Sequence, residues 1–103
     1  MPHFLVFGLD HPPHSMPLRE ASRDAHRAYV LDHDDPIRLA GALVDGDNNQ
    51  CGSVYSFEAD SIDEVRRWLD QEPFVRDGIY ESIKIVQWTP ALNRLPAADW
   101  KAR

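Results

Sequence analysis

The chain has 103 residues, of which 43% are hydrophobic and 27% charged, as expected for one globular domain. Its net charge of −6 opposes nonspecific binding to nucleic acid or to an anionic membrane surface. The single cysteine, Cys51, excludes an internal disulfide, and no apolar run reaches the roughly 18 residues of a transmembrane helix. We therefore expect a cytoplasmic protein that binds neither nucleic acid nor membrane.

The first third of the chain predicts a strand followed by a helix. The apolar run HFLVFGLD, residues 3–10, is typical of a buried strand, and the three prolines of HPPHSMP exclude regular structure after it. A helix is predicted from Leu18 to about Asp32, ending before Pro36. Apolar residues recur along it at helical spacing and predict its buried stripe: Leu18, Ala21, Ala25, Ala28 and Leu31.

The remaining pattern predicts three strands and a second helix. Alternating segments indicate strands at residues 37–45, 53–60 and 80–88. The turn-forming stretch GDNNQCG joins the first two, so Cys51 is expected in a hairpin loop. The sequence SIDE, beginning at Ser61, is a capping box that opens the second helix, and Pro73 ends that helix.

The order of these elements predicts the fold class. Strand, helix, strand, strand, helix, strand is the ferredoxin-like βαββαβ arrangement, an α+β fold with a four-stranded antiparallel sheet and two helices on one face. We expect this domain to span residues 1–88 and to be followed by a tail, residues 89–103. The first strand is apolar on both sides, so the open sheet face should be covered by a second copy in a homodimer.

Two ionisable groups are the main functional candidates. His26 lies one helical turn after Arg23 in RDAHRAY, and Glu72 precedes Pro73 in WLDQEPF. An imidazole can exchange protons at neutral pH, and a carboxylate behind it would orient the ring and raise its basicity. The alternative is that His26 bonds a backbone carbonyl and Glu72 is a solvated helix end. Spacing alone leaves both interpretations open.

Three segments resemble the YCII-related family of the dimeric α/β-barrel superfamily: FLVFGLD, RDAHRAY and WLDQEPFVRDGIYESIKI. The second is similar to an Arg-x-x-His helix motif of that family, and the third to its Asp-Pro-Phe/Tyr segment, so the resemblance spans residues 3–88. It implies a ferredoxin-like domain that dimerises through its sheet and holds a His–Asp pair in a cleft. Glu72 stands where the family has Asp, and Asp70 is the alternative carboxylate.

The resemblance also implies a function. One activity described in the family is dehydrochlorination of a chlorinated hydroxyquinol, and more distant relatives include muconolactone isomerases. We therefore expect an isomerase or lyase acting on a small aromatic or enolisable carbonyl compound. His26 would be the acid/base, Glu72 its partner and Arg23 an anion holder. Phe74 and Tyr29 would contact the ligand or pack in the core. A non-catalytic ligand-binding or accessory protein on the same scaffold is the alternative.

No cofactor and no metal are predicted. His11 and His14 in HPPH have no partner at a fixed ligand spacing, and a metal site needs three or four convergent ligands. Haem-degrading relatives suggest His26 as an iron ligand, but its pairing with Glu72 favours acid–base chemistry. A third hypothesis, weaker than the other two, is a protein partner bound at the sheet edge.

Overall fold

The computed structural model of the protein describes residues 1–96. Its elements are β1 (His3–Asp10), α1 (Met16–Asp32), β2 (Ile37–Val44), β3 (Gln50–Glu58), α2 (Ile62–Asp70), α3 (Pro73–Arg76) and β4 (Tyr80–Trp88). The four strands form an antiparallel sheet in the order β2-β3-β1-β4, which confirms the ferredoxin-like prediction. Two details differ. The short helix α3 was not predicted, and Cys51 lies in β3 instead of in the hairpin loop.

The hydrophobic core lies between the sheet and the helices. Alternate residues of β1 and β3 point into it, and α2 covers them with its apolar face. The predicted cap of α2 is present, since the Ser61 hydroxyl accepts a hydrogen bond from the Glu64 backbone N–H. The buried hydrophobic residues of this core are Phe4, Val6, Val30, Tyr55, Phe57, Ala59, Val65, Trp68 and Leu69.

Helix α1 buries a different face from the one predicted. Leu18 and the three alanines of the predicted stripe are exposed, and Leu31 is only half-buried. The inward face is largely polar and comprises Arg19, Ser22, His26, Tyr29 and Val30. A polar side chain can be buried when it finds hydrogen-bond partners, and the tertiary structure supplies them here. The helical spacing of apolar residues therefore predicted the wrong buried face for α1.

The opposite face of the sheet has no covering layer within residues 1–96. Leu5, Phe7 and Leu9 of β1 alternate with the core residues, and they pair with residues of β3 and β4 that lie on the same side. Leu9 and Val86 are exposed there. The open face thus carries apolar side chains, as the sequence predicted, together with Ser82 and Lys84.

The predicted tail begins after β4. Residues 89–96 form neither helix nor strand, and residues 97–103 lie outside the described part of the chain. In residues 1–96, no helix combines the length and the apolar character that crossing a lipid bilayer requires.

Candidate functional site

The fold brings His26 of α1 and Glu72 of the α2–α3 junction together. The His26 Nδ1 atom lies 2.5 Å from Glu72 Oε1, across 46 positions of sequence. The Glu72 side chain is 0% exposed and that of His26 is 12% exposed. A buried carboxylate at Nδ1 favours the tautomer with its proton there, which makes Nε2 the basic ring nitrogen.

The local backbone explains the position of Glu72. Helix α2 ends at Asp70, and Pro73 occupies the first turn of α3, where its missing N–H costs nothing. Glu72 is the N-cap of α3, and its Oε1 accepts the Phe74 backbone N–H at 3.0 Å. The cap holds the carboxylate inward, so Glu72 is not the solvated helix end of the alternative interpretation.

The second oxygen of Glu72, Oε2, differs from Oε1 in its hydrogen bonding. Within residues 1–96, Oε2 is buried and has no hydrogen-bond partner. A buried acceptor without a donor costs about 1–3 kcal/mol, and such groups are rare in folded proteins. Because this buried atom destabilises the fold, a contribution to stability does not by itself explain why Glu72 is buried here.

Phe74 connects the pair to a second polar cluster. Its ring stacks on the His26 imidazole, with the centroids 3.7 Å apart and the planes 2° from parallel. The Arg19 Cζ atom lies 5.2 Å from the same ring centroid, within cation–π range. Phe74 itself is buried, so it fixes the plane of the imidazole and separates it from the guanidinium.

The second cluster is centred on Arg19, which is 2% exposed. Its Nε and Nη2 atoms donate to the two oxygens of Asp10, at 2.6 and 2.8 Å, and Nη2 also donates to Ser53 Oγ at 3.2 Å. The Ser15 backbone N–H adds a third bond to Asp10. This ion pair is bidentate and fully satisfied on the carboxylate side, the geometry in which a buried charge pair is tolerated.

Tyr80 reaches this cluster from β4 by crossing β1 at Gly8. A Cβ atom at Gly8 would lie 2.7 Å from the Tyr80 ring, so only glycine leaves room for the phenol. Across Gly8, the Tyr80 hydroxyl donates to Ser53 Oγ at 2.7 Å. Gly78, which precedes β4, has φ +74, in the left-handed region that favours glycine.

The tyrosines around the site stay protonated. Burial, with a smaller contribution from the Glu72 charge, raises the pKa of Tyr80 to about 12. Burial, together with Tyr80 and Glu72, also raises the pKa of Tyr55 well above its ordinary value. For Arg19, burial lowers the pKa, but the hydrogen bond and charge of Asp10 outweigh it and raise the pKa overall. The cluster therefore presents neutral phenols and a permanent cation.

The other predicted site residues lie on α1 and α2. Arg23 is half-buried on α1, one turn before His26. The Tyr29 hydroxyl donates to the Trp68 carbonyl at 2.6 Å, so its polar end is used in packing α1 against α2. Asp70, the alternative carboxylate, is exposed at the end of α2.

The two histidines of the proline-rich loop contact groups other than the His26–Glu72 pair. The exposed His11 is 3.8 Å from Glu81, and His14 accepts the Met16 backbone N–H. Among residues 1–96, no group of three or more His, Cys, Asp and Glu side chains could hold a metal ion.

Sequence reasoning missed the Arg19 cluster. Arg19 stands seven positions before His26, which is two helical turns and the same face, so the spacing was a usable signal. Arginine is mostly exposed in proteins, and an apolar periodicity does not reveal a buried polar residue, so this signal was missed. Asp10, Ser53 and Tyr80 come from three strands, and no local pattern joins them.

These observations define a class: a ferredoxin-like protein with a buried histidine–carboxylate pair beside a buried polar cluster. The family model of the YCII-related domain matches residues 3–89, and the chain belongs to this family. The resemblance seen in the sequence is thereby confirmed. A search of curated proteins gives no match.

Two solved structures show what the chain is similar to. One is the 5-chloro-2-hydroxyhydroquinone dehydrochlorinase TftG of Burkholderia phenoliruptrix AC1100 in complex with 2,5-dihydroxybenzoquinone. It is 26% identical with a TM-score of 0.79, and the match covers 86% of this chain and 95% of TftG. The other is an uncharacterized NIPSNAP domain protein of Burkholderia xenovorans, 13% identical with a TM-score of 0.52, covering 93% of this chain and 100% of the other. At 13% identity, the similarity to the NIPSNAP domain protein is evidence for a shared fold only.

Proposed function

We propose that this protein is a small cytoplasmic acid–base enzyme of the isomerase or lyase type, acting on a small aromatic or enolisable carbonyl compound. The observation that carries the proposal is the 2.5 Å contact between His26 Nδ1 and the fully buried carboxylate of Glu72. Such a carboxylate orients the imidazole and stabilises the imidazolium that forms when the ring takes a proton. No cofactor is needed for this chemistry.

The pair suits elimination from a halogenated hydroxyquinol. In this scheme His26 takes a proton from one ring hydroxyl and returns it to the carbon that carries the halogen, so a carbonyl forms. It then takes a second hydroxyl proton, a second carbonyl forms, and the halide leaves with the bonding electron pair. The net change is loss of hydrogen halide, which needs no oxidant. The similarity to TftG, 26% over most of both chains, supports this substrate class.

The neighbouring residues would hold the ligand. Arg23, one turn before His26 on α1, would bind an anionic oxygen of the substrate by charge-assisted hydrogen bonds. Phe74 keeps the imidazole plane fixed, and with the ring of Tyr29 it would form the aromatic wall of the site. Preorganisation of this kind lowers the barrier because the base is already aligned when the ligand arrives.

We also propose that two copies associate through their open sheet faces. Leu5, Phe7 and Leu9 line this face together with Val86, and apolar surface of this extent is normally covered in solution. Sedimentation measurements should give a dimer, and Val86→Lys should shift it to monomer.

The second candidate is a non-catalytic protein that binds the same ligands. It is favoured by the low accessibility of the pair, since His26 is only 12% exposed and Glu72 not at all. Product formation separates the two candidates: an enzyme releases halide or isomerised product continuously, whereas a binder stops at one ligand per site.

The test is a thermal-shift screen with catechols, chlorinated hydroxyquinols, muconolactones and 2,5-dihydroxybenzoquinone, followed by turnover assays on any ligand found. Wild type, His26→Ala and His11→Ala are compared, because His11 is an exposed histidine whose ion-pair partner is Glu81. A ligand of this site stabilises wild type and His11→Ala but not His26→Ala. Equal stabilisation of all three proteins would contradict the proposed site.

A further inference from the structure

Helix α3 carries two of the groups that contact the His26 imidazole. Glu72, its N-cap, places Oε1 2.5 Å from His26 Nδ1, and Phe74, in its first turn, stacks on the ring. The helix is only four residues long. One helical turn is marginal by itself, because its formation fixes several residues for a single hydrogen bond. The position of Glu72 and Phe74 relative to His26 therefore depends on what holds α3 against its neighbours.

A second side-chain contact joins α3 to α1 at the other end of α3. The Ser22 hydroxyl donates to Oδ2 of Asp77, the C-cap of α3, at 2.6 Å. Ser22 is buried on the inward face of α1, whereas Asp77 is exposed. Hydrogen bonds to an ionised carboxylate are shorter and stronger than bonds between neutral groups. Two side-chain bonds, Ser22–Asp77 and His26–Glu72, thus connect the same two helices.

The spacing of the two bonds fits two segments that run side by side in opposite directions. Ser22 stands four positions before His26 on α1, and Asp77 stands five positions after Glu72. At about 1.5 Å per helical residue, these intervals correspond to about 6 Å and about 7.5 Å. The two bonds therefore lie roughly one helical turn apart. Two attachments restrict the angle between the segments more than one attachment does.

The backbone closes the C-terminal end of α3 without the Asp77 side chain. The backbone N–H of Asp77 donates to the Pro73 carbonyl at 2.9 Å, and that of Gly78 donates to the Val75 carbonyl at 3.2 Å. Gly78, with φ +74, then leads the chain into β4. The Asp77 carboxylate is not part of this cap, so its bond to Ser22 is a contact between two helices.

We propose that Ser22 and Asp77 are positioning residues for the His26–Glu72 pair. Their bond holds α3 in the orientation in which Glu72 keeps the imidazole proton on Nδ1. The proposal rests on the proposed function, because it concerns the same pair. Such support matters because a displacement of about 1 Å can lower a reaction rate about 100-fold. An exposed carboxylate contributes little to global stability, so the bond should affect the geometry of the pair more than folding.

The test is NMR of the full chain with isotope-labelled histidine and without ligand. The chemical shift of His26 Nδ1 reports whether that nitrogen carries a proton. His26→Ala assigns the signal, and Glu72→Ala gives its position when the partner is lost. The test variants are Ser22→Ala and Asp77→Ala. Asp77→Asn is the conservative variant, because its amide oxygen can still accept from Ser22. Asp63→Ala is the control, since Asp63 is an exposed aspartate of α2.

Both alanine variants should move the Nδ1 signal toward its position in Glu72→Ala. Asp77→Asn and the control Asp63→Ala should leave it at the wild-type position. Thermal unfolding of Ser22→Ala and Asp77→Ala should show a Tm lowered by no more than about 8 °C, roughly the effect of one hydrogen bond in a domain of this size. If Ser22→Ala does not fold, Asp77→Ala decides the question, because that side chain is exposed.

Three results overturn the proposal, and they differ in meaning. If Ser22→Ala and Asp77→Ala keep the wild-type signal, their bond does not position the pair, and the proposed function is unaffected. If Asp63→Ala moves the signal as far as Asp77→Ala does, the effect is not specific to this bond. If the wild-type signal already lies where Glu72→Ala places it, the carboxylate does not hold the proton on Nδ1, and the proposed function fails together with this inference.

Discussion

Two buried pairs of ionisable side chains within residues 1–96 differ in how completely their hydrogen bonds are satisfied. Asp10 receives hydrogen bonds on both oxygens, and its partner Arg19 is a permanent cation. Glu72 uses Oε1 alone, and its partner is the imidazole of His26, a side chain that serves as a general acid or base in enzymes. A fully satisfied, permanently charged pair suits a structural support, whereas a half-satisfied pair with a titratable member suits chemistry.

The largest effect is expected at the satisfied pair. Asp10→Asn keeps the shape of the side chain but leaves the Arg19 guanidinium buried without a counter-charge. Removing one partner of a buried ion pair costs about 3–5 kcal/mol. Urea unfolding should show this loss, with the exposed Asp70→Asn as the matched control. A loss equal to that of the control would mean that Arg19 and Asp10 do not support the fold.

The same substitution at the other pair should cost less. Glu72→Gln retains an oxygen to cap α3, and one oxygen of the wild-type carboxylate is already unpaired, so we expect a loss of about 1–2 kcal/mol. It should nevertheless abolish the His26-dependent ligand response. Urea unfolding and the thermal-shift screen measure the two effects. If Glu72→Gln is as destabilising as Asp10→Asn, the two pairs do not differ in their contribution to stability.

A smaller effect concerns alkaline pH. The Tyr80 pKa is raised from 10.0 to about 12, so the folded state holds this proton more tightly than the unfolded chain. The stabilisation is complete below pH 10 and is lost as the pH rises through about 12. At pH 11 wild type should have lost about 1 kcal/mol through this group. Tyr80→Phe should show a flatter pH dependence of unfolding free energy between pH 9 and 11. A steeper pH dependence in Tyr80→Phe than in wild type would contradict the raised pKa of Tyr80.

The smallest effect is expected at an exposed ion pair. Arg38 donates to Glu58 at 2.8 Å, and this contact lowers the pKa of Glu58. Because both side chains reach solvent, Arg38→Ala should change stability no more than other exposed substitutions do. Its thermal unfolding should match that of Arg66→Ala, whose ion pair with Asp63 is also exposed. A loss of stability comparable to that of Glu72→Gln would show that exposure does not predict how much an ion pair contributes to stability in this protein.

Much of the fold followed from local pattern. The apolar run of β1, the alternation of β3 and the Ser61 cap are each set by a few neighbouring residues, and each was predicted. The inward face of α1 was predicted wrongly. Its buried residues are polar and find their partners on other elements, so no apolar period marks them.

The sequence by itself determined the order of helices and strands, the open apolar sheet face and the residue types of the candidate pair. These depend on backbone propensity, side-chain periodicity and chemical identity, which are local properties. Only the tertiary structure decided that His26 meets Glu72 and not Asp70, that Glu72 leaves one oxygen unpaired, and that Arg19 is buried. These contacts join groups that are far apart in sequence, 46 positions in the case of His26 and Glu72. Such contacts are fixed when the helices dock on the sheet.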